Sequence, residues 1–80
     1  MMTIIPLASA LGTIGAAFGA AIAAFAAAIG ISKIGKSTME STARQPESAN
    51  NLRTSMIIAA GMIEGAALFA IIVCLLAIFM

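Results

Sequence analysis

The chain has 80 residues, of which 62% are hydrophobic and 9% charged, with a formal net charge of +1. Its mean hydropathy of +1.16 points to lipid rather than water, because a water-soluble core of this size would be marginal. There is no basic tract and no Trp or Tyr, so no nucleic-acid surface is expected. His is also absent, and no metal-ligand cluster, nucleophile–base pair or phosphate-cradling loop motif is present, which argues against an independent enzyme and against a bound cofactor.

Residues 3–31 carry no charge, and a bilayer needs only ~20 apolar residues for a helical span. The run lacks a basic n-region and outlasts the ~7–15-residue apolar core of a signal peptide, so it reads as a retained span. The absence of an amphipathic, Arg/Ser-rich transit segment favours a bacterial protein, or one encoded within an organelle, and the expected location is a bacterial inner membrane. Within the run, Leu7, Leu11, Ile14, Phe18, Ile22, Phe25 and Ile29 follow at steps of four and three. They form one bulky ridge along a helix. Nearly everything else from Ala8 to Gly30 is Ala, Gly, Ser or Thr. Small residues let helix backbones approach closely in lipid. A helix that is small over most of its circumference therefore expects several helical neighbours, more than one hairpin supplies.

The polar region follows, with all four basic residues (Lys33, Lys36, Arg44 and Arg53) together with Glu40 and Glu47. Their clustering places this connection in the cytoplasm and both termini outside. Lys33 and Lys36 are expected to snorkel to headgroups. Pro46 suits a helix start, and Glu47 suits a first turn. The expected layout of the single unit 1–80 is a helix over 3–41, a polar loop over 42–47 and a second helix over 48–79. This is an all-α, antiparallel transmembrane hairpin, built to assemble into a homo-oligomer.

The second span contains one carboxylate, Glu64, and otherwise only apolar or small residues from Met56 onward. Such a group costs ~2.5–3.5 kcal/mol near the bilayer centre, so it needs a job or a partner. Ala59, Ala66, Ala70 and Ala77 share one face, which is expected to pack on the first helix. Glu64 lies well round from them, on a face with Ile57, Leu68 and Ile71. Its nearest neighbours along the helix are Ala60, Gly61, Gly65 and Ala67, which leave the carboxylate in a shallow depression. Cys74, the single cysteine, reads as packing.

Two hydrophobic helices, the tip Ala43-Arg44-Gln45-Pro46 and a carboxylate twenty residues after the loop arginine together resemble the c subunit of F-type ATP synthases over essentially the whole chain. The resemblance implies a ring of identical hairpins, first helices inside. It implies that Glu64 carries the translocated ion and meets an arginine of the stator a subunit. It also implies that Arg44, Gln45 and Pro46 touch the central stalk, subunits gamma and epsilon. Many family members carry Gly-x-Gly-x-Gly-x-Gly in the first helix. The matching positions here are Ala24, Ala26, Ala28 and Gly30, so three glycines have become alanine. The added methyl groups should hold inner helices apart, which predicts a ring that is not among the smallest.

Sodium, a hard cation, wants several oxygen ligands. Sodium-type members of this family supply them from positions that here are Ile31, Gly65 and Phe69, none with a side-chain oxygen. The expected ion is therefore a proton. Three rival readings are a proteolipid of a V- or A-type rotary ATPase, a small pore-forming hairpin of the holin kind, and a structural hairpin with Glu64 as interhelical glue. The expected partners are identical hairpins, the stator a subunit, the stalk and membrane lipids.

Overall fold

The computed structural model describes residues 3–80; Met1 and Met2 of the expected unit lie outside them. Two helices, α1 (Ile4–Arg44) and α2 (Ala49–Phe79), are joined at Gln45 and a short 3-10 helix, Pro46–Ser48. Among the described residues there is no strand. Both helices are long and apolar enough to cross a membrane, and helix is the form that satisfies every backbone group inside a bilayer. The hairpin measures 67 × 16 × 7 Å.

The 41 residues of α1 span ~62 Å at 1.5 Å per residue, twice the ~30 Å hydrocarbon core. Pro6 lies in its first turn, where the missing N–H is harmless. The helix then meets no breaker until Pro46, which restrains Gln45 away from helical angles. Gln45 is at φ −134° and ψ 71°, and its N–H donates to Ser41 O at 2.9 Å. This explains why α1 runs to Arg44, three residues past the expected end at Ser41. Most of the expected loop is therefore helical, and Pro46 opens the 3-10 turn before α2. Thr13, Thr38, Thr42 and Thr54 each donate a hydroxyl to the carbonyl four residues back, which settles these polar groups within their own helices.

The two helices meet along a seam whose residues follow mostly at steps of three and four, with Gly19 and Ala20 adjacent. On α1 the seam runs through Ala16, Gly19, Ala20, Ala23, Ala27, Gly30, Ile34 and Thr38; on α2 it runs through Leu52, Met56, Ala59, Ile63, Ala67, Ala70 and Cys74. A Cβ added at Gly19 would stand 3.1 Å from Cys74 Sγ, and one at Gly30 would stand 3.3 Å from Ile63 Cδ1. Small residues on α1 thus receive larger ones from α2. The bulky ridge from Leu7 to Ile29 is exposed throughout and lies on the far side of α1 from α2.

Of the alanines expected to face α1, Ala59 and Ala70 are half-buried, but Ala66 and Ala77 are exposed. The seam is turned ~50° from the expected face, taking 100° per residue. The reason is that α1 already supplies the small surface, so α2 can present Ile63, Met56 and Leu52 to it without losing closeness.

Candidate functional site

The turn of the seam brings Glu64 to the edge of the interhelix groove. The carboxylate is exposed and opens on a recess of about 200 Å³. Ala67, Leu68 and Ile71 of α2 form one wall, and Ala24, Ala27, Ala28 and Ile31 of α1 form the other. Glu64 has the only polar side chain around this recess. Among the described residues it has no hydrogen-bond or ion-pair partner. Eight residues separate it from Met56, ~12 Å along the helix.

The other residues singled out from the sequence fall in different places. Ala67 shares the recess, and Ala60, half-buried one turn nearer the loop, does not line it. Gly61 and Gly65 are exposed, and a Cβ on either would meet nothing within 4 Å. Phe69 is exposed and points ~140° round α2 from Glu64, since five residues separate them. Of the three positions where sodium ligands would be expected, only Ile31 lines the recess.

The four positions Ala24, Ala26, Ala28 and Gly30 divide between two flanks. A two-residue step turns a helix by ~200°. Ala24 and Ala28 accordingly line the Glu64 recess, whereas Ala26 and Gly30 line a groove of about 400 Å³ on the opposite side. Both flanks of the hairpin are therefore small-surfaced at mid-span, as close neighbours on both sides require. Ile31 of the α1 wall is a position where the resemblance expects a sodium ligand; the rest of that wall, Ala24, Ala27 and Ala28, was not anticipated as part of the site. It could have been found by counting back from the tip, because an antiparallel hairpin turning at Gln45–Ser48 sets Glu64 beside Ala28.

At the tip, Arg44 ends α1, Gln45 makes the break and Pro46 opens the 3-10 turn; all three are exposed. Ser48 N–H donates to Gln45 O at 3.0 Å and holds the turn. Arg44 Nη2 stands 4.0 Å from Glu40 Oε2 one helical turn earlier, a loose surface pair that leaves the guanidinium free to engage a partner.

The family model for the ATP synthase C subunit matches residues 14–77. The ATP synthase c subunit of Phocaeicola vulgatus is 60% identical over 73 residues, covering 91% of this chain and 87% of the relative. That of Bacteroides thetaiotaomicron is 55% identical over 67 residues, covering 84% and 79%. That of Lactobacillus helveticus is 48% identical over 65 residues, covering 81% and 84%. The match takes in the mid-span carboxylate, its recess and the exposed tip together, and on that basis the chain belongs to the family of ATP synthase C subunits.

Proposed function

We propose that this hairpin is the proton-carrying rotor component of the membrane sector of an F-type ATP synthase, with Glu64 as the carrier. The observation that carries the reading is the Glu64 recess, which offers one carboxylate among Ala, Ile and Leu. A sodium ion there would lack side-chain oxygens beyond the carboxylate itself. A proton needs only the one group.

The cycle follows from solvation. Hydrocarbon disfavours the charged carboxylate, so Glu64 holds its proton while it faces lipid. As a neutral acid it crosses the lipid-facing arc at modest cost. Beside an arginine of the stator and a water-filled half-channel, the charged form becomes favourable and the proton leaves. A second half-channel reloads the site, and a proton gradient biases the direction. The arginine belongs to another chain, because both membrane segments here lack a cation. Identical hairpins form the ring. Arg44, Gln45 and Pro46 meet the gamma and epsilon stalk on the cytoplasmic side of a bacterial inner membrane, with both termini outside. The hairpin itself is non-catalytic and holds no cofactor.

The relatives' shared name favours this reading over a lytic hairpin and over a V- or A-type proteolipid. Glu64→Gln tests it. Gln mimics the neutral acid, so the ring should assemble while proton-driven ATP synthesis in reconstituted vesicles is abolished. Retained synthesis would refute the carrier role and leave Glu64 as interhelical glue.

A further inference from the structure

The two flanks of the hairpin also differ near the tip. On the Glu64 flank, Arg53 borders a recess of about 100 Å³ with Met39, Thr42 and Ala49. On the opposite flank, Ser37, Ser41 and Ser55 line a groove of about 370 Å³. Thr38 and Met56 line both, so the two hollows lie at the same depth on opposite sides.

Their hydrogen-bonding states are complementary. Thr38 and Thr42 donate their hydroxyls to backbone carbonyls at 2.8 Å, whereas the side-chain hydroxyls of Ser37, Ser41 and Ser55 make no hydrogen bond within the described hairpin. Arg53 takes no part in the ion pair found among the described residues, which joins Arg44 to Glu40. A guanidinium is all donor and serine oxygens accept, so each flank offers what the other lacks.

In a closed ring every hairpin sets one flank against the opposite flank of the next. We propose that Arg53 of each hairpin seats in the serine groove of its neighbour, so that the occupant of the groove is a second copy of this chain. The proposal rests on the ring reading above. Lys33 lines the same groove one turn nearer the bilayer, which leaves the serine end to the guanidinium. Hydrogen bonds from a charged donor are directional and stronger than neutral ones. They would fix the alignment of neighbours at headgroup level, where the alanine surfaces below give closeness but little direction.

Two measurements test the seat. In the first, purified rings carrying Arg53→Ala, Ser41→Ala with Ser55→Ala, or all three substitutions are heated in dodecyl sulfate and the temperature of collapse to monomer is read on gels. The Arg53 and serine variants should each lower that temperature, and the triple variant should fall no further than Arg53→Ala alone. Fully additive losses overturn the seat. In the second, a Cys74→Ser background carries Arg53→Cys with Ser55→Cys, or Ala26→Cys with Ala28→Cys as the mid-span control. On oxidation the first pair should give a ladder of oligomers up to the full ring. A ladder from the control alone overturns the seat and leaves the ring standing; no ladder from either overturns both. A stability loss in Arg53→Ala confined to vesicles of anionic phospholipid would assign Arg53 to a lipid headgroup and likewise overturn the seat.

Discussion

Gly19→Ala probes the seam that decides where Glu64 points. A Cβ at Gly19 would stand 3.1 Å from Cys74 Sγ, against ~3.5–4.0 Å for a relaxed contact between heavy atoms. The contact must relax by a few tenths of an ångström, through a turn of the Cys74 χ1 or a slight parting of the helices. Overpacking of this kind costs ~1–3 kcal/mol, and replacing a mid-helix glycine by alanine returns ~1 kcal/mol. The single variant should therefore lose between nothing and ~2 kcal/mol. Cys74→Ala alone leaves a small void and should lose ~1 kcal/mol. Together the two substitutions put a methyl group near the space the sulfur vacated. The double variant should match or exceed the parent, a favourable coupling of ~1–3 kcal/mol, within the range measured for touching residues. Titration of the hairpin with dodecyl sulfate in mixed micelles, followed by circular dichroism, measures all four forms. Simple additivity would refute the contact. A Gly19→Ala variant stabilised by the full helix-propensity gain would do the same, and would imply that α2 turns its Ala59, Ala66, Ala70 and Ala77 face to α1 instead.

The remaining expectations concern the ion and the ring. Sodium should not protect Glu64 from a carboxyl-modifying carbodiimide at mildly alkaline pH, because the recess offers no further side-chain oxygen; clear protection would reverse the proton assignment. Direct imaging of the assembled ring should find a number of hairpins that is not among the smallest. A very small ring would show that the methyl groups of Ala24, Ala26 and Ala28 do not set the spacing of inner helices.

The two helices and the polar tip were legible because each rests on a one-body property of the chain. Uncharged length makes the spans, and Pro46 ends α1 wherever the rest of the chain goes. Glu64 stood out for the same reason, as a lone carboxylate in an apolar run. The rotation of α2 was not legible, because a seam is a two-body property. The alanines at 59, 66, 70 and 77 are small enough to face α1, but α1 is already small at Gly19, Ala23, Ala27 and Gly30 and admits Ile63 and Cys74 instead. Of the α1 wall of the Glu64 recess, only Ile31 was legible, through the family resemblance; Ala24, Ala27 and Ala28 were not, because their place beside the carboxylate depends on how the two helices pair.

Ala16, at 8% relative exposure, is the one buried residue among those described. A plank two helices wide and one helix thick encloses nothing, so a single copy has no interior of its own to defend. Whatever interior exists is created between copies, as the space inside a barrel belongs to no single stave. Folding stability then becomes a collective quantity that rises with the density of copies in the membrane, as for obligate oligomers in solution. For this chain, the supply of hairpins during synthesis is itself a thermodynamic variable.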